Sequence, residues 1–251
     1  HDLMEPLFVE LTEKLAGKTV KQKPFPRIPY WECMETYGSD RPDLRFGFPI
    51  QEVSAWAQKT DFEVFRAADY VRALVIEGGE NFSRKEIDEE FTPAAKRGHG
   101  KGLPWVRFVG GAFDGGVAKF FSEDAQKELI SLLKLEKDAM IFFGADTWEV
   151  SAKALGAVRD VVGDKLKLKD PNVVAWAWVI DFPFYEWDDK NNKIEFAHNP
   201  FSMPQGGLEA LETQEPLDIL ADQYDIIANG LELSSGAVRN KDPRIMYKAF
   251  E

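Results

Sequence analysis

Leu3, Leu7, Leu11 and Leu15 fall at i, i+4 spacing, the repeat that lines one face of a helix. The pattern predicts an amphipathic helix over 2–16, capped by Asp2 and ended by Gly17. The proline-rich stretch 24–29 predicts extended chain. A short helix over 30–37 should stop at Gly38, before the polar loop "YGSDRPDLR" (37–45).

The character changes from about residue 50. "DFEVFRAA" (61–68) and "YVRALVIEGG" (70–79) read as strands separated by a turn. "SRKE" (83–86) is a capping box, Ser83 with Glu86, opening a helix to about Lys96. "RGHGKG" (97–102) breaks it, and "LPWVRFV" is a strand. "GGAFDGG" (110–116) lacks the Lys-Ser/Thr ending of a phosphate loop and precedes strand-like "VAKFF", so it reads as a turn. Ser122 should start a helix to Leu135. "AMIFFGA" (139–145) is a buried-type strand, and 148–163 a helix. The order β-β-α-β-β-α-β-α predicts a compact α+β module.

From about 172 the chain reads mostly as β. "VVAWAWVIDFPFYEWDDKNNKIEFAHN" predicts two long strands around the turn "DDKNNK", and "QYDIIANGLELSSGAVRN" another pair. Asp242-Pro243 should start a helix, Asp as cap and Pro in the first turn. The fold class is therefore α+β: a β-rich sheet with helices at its ends, interrupted by an α+β insert.

Composition narrows the function classes. The 251 residues are 44% apolar and 13% aromatic, a globular balance. No apolar run approaches a membrane span, and no charged-then-apolar leader opens the chain, so no secretory signal is expected. Cys33 is the only cysteine, which excludes an internal disulfide and a cysteine-rich zinc site. His1, His99 and His198 leave little for a histidine metal centre. These features fit a reducing cytoplasm. A net charge of −12 argues against a general nucleic-acid binder. Only local basic stretches could hold phosphates, such as Lys18, Lys21, Lys23 and Arg27 in 17–30; a solvated linker is the simpler reading there.

Three candidates for chemistry stand out. His198 lies at a strand end before Pro200, where a ligand could reach it; a structural histidine is the plainer alternative. Asp225 and Glu232 fall on neighbouring antiparallel strands and could share a divalent cation, or be two surface acids. Arg239 offers a planar fork for carboxylate or phosphate. Glu232 and Arg239 are an odd seven residues apart, which sends them to opposite faces of a plain strand. A bend or bulge at Gly236 could bring both to one side.

"PYWECMETYGSDRPDLR", "KDAMIFFGAD", "WVIDFPFYEWDDKNN", "FAHNPFSMPQ" and "YDIIANGLELSSGAVRN", in that order, closely resemble bacterial-type aspartyl-tRNA synthetase over essentially the whole chain. The resemblance implies a class II antiparallel-sheet catalytic domain in two parts, 1–48 and 171–251. Between them, 49–170 would be the insertion domain shared with the amidotransferase B subunit. It implies that His198 and Arg239 hold substrate aspartate, with Arg239 on the side-chain carboxylate. Asp225 and Glu232 would lie near ATP and its Mg²⁺. The partners implied are tRNA(Asp), with tRNA(Asn) left open, and a second subunit in a cytoplasmic homodimer. At Asn199 many relatives have a second histidine. "FRAAD" (65–69) superficially resembles motif 2 but lies inside the insert and is set aside. The anticodon-binding barrel, motif 1, the motif 2 arginine and motif 3 are not found in these residues, so an incomplete, inactive fragment is expected. Two alternatives remain: a noncatalytic tRNA- or protein-contact module built on the insert, and an amidotransferase subunit. The flanks 172–239 argue against the latter.

Overall fold

A computed structural model describes residues 3–188 and 190–251. His1, Asp2 with its expected cap, and Asp189 of the "DDKNNK" turn lie outside the described residues. The chain divides into two compact units: the part up to Cys33 joined by Pro171–Glu251, and Met34–Asp170. The first boundary thus falls at 33/34, where the sequence reading placed it at 48/49.

In the unit Met34–Asp170 the long apolar runs become the middle of a five-stranded antiparallel sheet. Its order is Ile50–Glu52, Tyr70–Glu77, Ala139–Asp146, Trp105–Val109, Ala112–Asp114. Alternate residues feed opposite cores, as the pleat requires. Leu74, Ile76, Met140 and Phe142 pack with Phe91, Leu155 and Val158. Val71, Ala73, Ile141 and Phe143 pack with Trp56, Phe65, Phe121 and Leu129 on the other side. Helices thus cover both faces. The capping box forms as expected: Glu86 N–H donates to Ser83 Oγ (3.2 Å), and Ser83 N–H to Glu86 Oε2 (2.8 Å). The Lys165 ammonium also reaches Glu86, at 2.8 Å. With Ser83 it holds that carboxyl down to about 2.

Residues 37–48 belong here for a physical reason. Arg159 is buried, and its Nη2 donates to the carbonyls of Asp43, Phe46 and Gly47 at 3.0, 3.0 and 2.8 Å. Its guanidinium lies between the rings of Tyr37 and Phe46. Burial pulls its pKa down to about 10. A Cβ on Gly38 would sit 2.1 Å from Ala152 O, so only glycine lets the two backbones touch.

Two strand expectations fail in this unit. "DFEVFRAA" holds a short helix, Glu63–Arg66, and "VAKFF" a 3-10 turn, Ala118–Phe120. In both, aromatic residues gave a strand-like composition, but Phe65 and Phe121 serve as lids on the core rather than ladder members. "GGAFDGG" forms a hairpin, with Gly110 and Gly111 at positive φ before the strand Ala112–Asp114.

The other unit is built on a four-stranded sheet ordered Leu231–Ala237, Leu220–Ala228, Trp176–Pro183, Arg27–Pro29. The last pair is parallel and the others antiparallel. The stretch 17–30 is therefore structured rather than a linker: Thr19–Val20 pairs with Val173–Val174, and Arg27–Pro29 with the sheet. One sheet face carries Trp176, Trp178, Ile226 and Ala228, packed with Phe25, Phe8 and Val9. Trp176 Nε1 donates to Thr12 Oγ1 (3.0 Å) and Trp178 Nε1 to Glu5 Oε1 (3.0 Å). The N-terminal helix, Met4–Glu10 continuing as a π-turn Leu11–Leu15, lies on this face. Its leucine stripe points the other way: Leu3 is 84% and Leu15 78% exposed. The expected strand pair of 173–199 is broken after Pro183. Tyr185–Asp188 and Lys193–Phe196 form a separate two-stranded ribbon. The helix after Asp242 forms as expected, with the Arg244 N–H donating to the Asp242 carboxylate. No described helix is long and apolar enough to cross a membrane.

Candidate functional site

The sheet register decides which candidate side chains meet. The hairpin turns at Asn229-Gly230, both at positive φ. The Asn229 amide is tied to Ala175 N and Val173 O. Beyond the turn, Leu231 pairs with Ala228 and Glu232 with Ile227, but Ser234 pairs with Ile226. Leu233 is the extra residue of a β-bulge. From there Ser235 faces Asp225, Gly236 faces Tyr224 and Ala237 faces Gln223.

Residues directly opposite share a face. Asp225 and Ile227 share one by alternation, so Glu232 and Ser235 join them. The Val238 N–H donates to Asp222 O at 2.8 Å, continuing the ladder, and alternation then places Arg239 on the same side. The bulge turns the odd spacing of seven into an even one. It sits at Leu233, not at Gly236 as anticipated. Gly236 has a different reason: a Cβ there would meet the Tyr224 ring at 2.7 Å on the opposite face.

Asp225 is only 6% exposed and lies between Val179 and Ser235 in register. Glu232 and Arg239 are exposed. The Arg239 guanidinium stands 5.1 Å from the centre of the Phe201 ring, a packing that orients its fork. Asp225 and Glu232 are thus two carboxylates on adjacent strands, one step apart along a common face. That suits a hard cation taking its other ligands from phosphate and water. No group of three or more His, Cys, Asp or Glu side chains that could hold a metal by itself occurs among the described residues.

His198 enters from a different segment. Its ring meets Phe182 edge-on with centroids 5.2 Å apart, and it is exposed. The next residues run alongside Arg239. Ser202 bridges Arg239, the Asn240 N–H donates to Phe201 O (2.9 Å), and the Met203 N–H to Val238 O (2.8 Å). Asn199 makes this turn. Its Oδ1 accepts from the N–H groups of Phe201 (2.9 Å) and Ser202 (3.1 Å) and from Ser202 Oγ (3.2 Å). Its short acceptor side chain is typical of such turns. The order Asn-Pro-Phe-Ser was the available signal for this role.

A second acid pair was not foreseen. Asp181, at positive φ, accepts from Gln205 Nε2 at 2.7 Å. Asp222, burdened by burial and then by the charge of Asp181, has its pKa pushed up.

Comparisons with known proteins bear on this arrangement. A family model described as "tRNA synthetases class II (D, K and N)" matches residues 1–251. A protein of Chlorobium phaeobacteroides (strain BS1) named "Aspartate--tRNA(Asp/Asn) ligase" is 45% identical over 253 residues, 99% of this chain and 41% of its own length. "Aspartate--tRNA ligase" of Streptomyces avermitilis is 46% identical over 250 residues, 99% of this chain and 42% of its own. The protein of the same name from Streptomyces coelicolor is 45% identical, with 99% and 42% covered. The chain thus spans about two fifths of the length of the curated relatives it matches.

Proposed function

This chain belongs to the class II tRNA synthetases (D, K and N), and we propose that its parent protein is an aspartate–tRNA ligase. The observation that carries the reading is the register that puts Asp225, Glu232 and Arg239 on one sheet face, with the His198 segment paired beside Arg239. Arg239 and His198 hold aspartate, the guanidinium taking its side-chain carboxylate through paired hydrogen bonds. Glu232 serves the ATP end, and Asp225 with Glu232 would hold Mg²⁺. When bound, that ion would neutralise phosphate charge. The aspartate α-carboxylate attacks the ATP α-phosphorus, giving aspartyl-adenylate and pyrophosphate; a terminal ribose hydroxyl of tRNA then attacks the adenylate's carbonyl carbon, forming the aspartyl ester as the bond to phosphate breaks and AMP leaves. Positioning and charge stabilisation carry most of the first step.

The relatives' names divide between tRNA(Asp/Asn) and tRNA alone; tRNA(Asp) is the partner proposed for the parent. The resemblance supports a homodimeric, cytoplasmic parent with an insertion domain in a split catalytic domain; Met34–Asp170, rather than 49–170, is the extent proposed for the insert. Because it spans only two fifths of its relatives' length, the 251-residue chain by itself should lack activity. The test is ATP–pyrophosphate exchange. The full-length parent should exchange with aspartate and not with asparagine, and the isolated chain should not exchange. A parent without aspartate-dependent exchange would leave the noncatalytic contact module as the reading.

A further inference from the structure

The unit Met34–Asp170 holds a cavity and a basic loop that the catalytic reading does not use. We propose that together they bind a single-stranded RNA nucleotide, its base in the cavity and its phosphates on the loop. The identity of the RNA as tRNA rests on the proposed function; the binding itself does not.

The loop follows the helix Thr92–Arg97 and alternates basic residue types with glycines: Arg97, Gly98, His99, Gly100, Lys101, Gly102. The first two glycines face inward. A Cβ at Gly98 would lie 2.4 Å from Lys153 O, and one at Gly100 3.1 Å from Ala95 O and 3.0 Å from Ala154 Cβ. Arg97, His99 and Lys101 are exposed, and His99 is held at φ +68, a left-handed conformation uncommon for residues other than glycine. The glycine contacts thus fix the backbone and leave the three basic side chains outward. In a chain of net charge −12, such a cluster is a local attractor for phosphate.

Lys101 also stands at the rim of a cavity of about 730 Å³. Its walls include Phe62, Val64, Leu103, Pro104 and Ala145, an apolar lining suited to a flat ring. Two carboxylates line it: Asp69, which is exposed, and Asp146, whose side chain is only 13% exposed. The Thr147 N–H donates to one oxygen of Asp146 (2.9 Å), and Lys101 Nζ lies 2.7 Å from the other. The bond to Lys101 leads in holding this acid ionised, its pKa below the usual range. A carboxylate only accepts, and it has lone pairs beyond those two contacts. The exocyclic amino groups of adenine, cytosine and guanine donate; uracil has none. The order is therefore cations outside, an apolar slot, and an acceptor within. It matches a nucleotide's own polarity, an anionic backbone followed by a flat base with an amino group. An anionic metabolite would meet the charge of Asp146, and a lipid tail would offer no donor to its remaining lone pairs.

The test is fluorescence anisotropy of labelled RNA pentamers, oligoadenylate and oligouridylate, titrated with the 251-residue chain at about 50 mM salt, where phosphate contacts are strong. Saturable binding of oligoadenylate, several-fold tighter than oligouridylate, is expected. Arg97→Glu/Lys101→Gln should weaken both by about tenfold or more, since two phosphate contacts are lost. Ala67→Trp, at an exposed position lining the cavity, should lower oligoadenylate to the level of oligouridylate. Thermal melting checks that each variant is folded. The proposal fails if oligoadenylate does not saturate, if the charge variant binds as well as wild type, or if Ala67→Trp keeps the preference. Such a failure leaves the ligase reading untouched, because that is decided by exchange in the parent.

Discussion

The two larger sheets of this protein are used differently. The five-stranded sheet of Met34–Asp170 has apolar residues on both faces, each under helices. The four-stranded sheet packs one face with tryptophans against the N-terminal helix and carries Asp225, Glu232 and Arg239 on the other. A sheet buried on both sides spends its side chains on packing. A sheet with a charged face can place several functional groups in a fixed grid, with the ladder setting their spacing. Substitutions in the first should act on stability, and substitutions on the second face on ligand.

The largest effect should come from Arg159. It satisfies carbonyls of Asp43, Phe46, Gly47 and Phe48. Arg159→Met keeps the stem but strands those acceptors, at about 1–3 kcal/mol for the first and less for any that water can reach. A loss of about 3–5 kcal/mol in chemical denaturation is expected, with proteolytic sensitivity appearing first within 37–48. Arg159→Lys should rescue little, because one ammonium cannot reach the same set. A near-wild-type melting curve for Arg159→Met would show that those carbonyls find other partners.

Arg239 should behave in the opposite way. In the full-length parent, Arg239→Leu should cost about 3 kcal/mol, roughly a hundredfold, in aspartate activation. Stability should change little, since the side chain is exposed. Arg239→Lys should also fail, as a point charge does not reproduce the fork. Exchange kinetics against aspartate and ATP separately decide it: an effect confined to ATP would move Arg239 to the nucleotide end.

These two arginines also show what was legible in the sequence. The apolar runs 70–77 and 139–146 announced the inner strands, and "SRKE" its capping box, because burial and capping are local patterns. Arg159 was not legible. Nothing around it distinguishes a buried arginine from a helix-surface one, and its partners lie more than a hundred residues earlier. The resemblance supplied Arg239's assignment; its placement on the same sheet face as Glu232 needed the Leu233 bulge. A bulge is one unpaired residue in a ladder, and "LELSSGAVRN" marks no single position for it. The exposed leucine stripe teaches a related point. Periodicity identifies a helix, but in this helix Phe8 and Val9 form the packed side, since aromatic rings fill the space beside Trp176 better.

Asn199 should give an intermediate effect. Its Oδ1 gathers three donors, so Asn199→Ala should destabilise by about 1–2 kcal/mol. In the parent it should also raise the KM for aspartate, by loosening the turn that pairs with Arg239. Asn199→Asp keeps the acceptor and should restore most of the stability. A KM unchanged in Asn199→Ala, with stability lost, would separate the turn from ligand binding.

The smallest effect contrasts two acids. Asp43 is buried, which by itself raises its pKa, but the hydrogen bonds and charge of Arg45 outweigh that and lower it. Asp222 is raised, by burial first and then by Asp181. A lowered carboxylate adds stability above its unfolded pKa, and that contribution is lost as pH falls through the folded value. A raised one does the reverse: its contribution is full below the unfolded value and is lost as pH rises through the folded one. Asp43→Asn should therefore be most damaging at neutral pH and progressively less damaging as the pH falls below the usual carboxylate range, where wild-type Asp43 itself loses its charge. Asp222→Asn should be neutral in acid and slightly stabilising, by less than about 1 kcal/mol, once the pH rises above the usual carboxylate range. Denaturation midpoints of both variants against wild type across this range give two curves of opposite slope. If Asp222→Asn instead destabilises at neutral pH, the ionised carboxylate is held by favourable contacts, and Asp181 and Asp222 are a satisfied pair rather than a strained one.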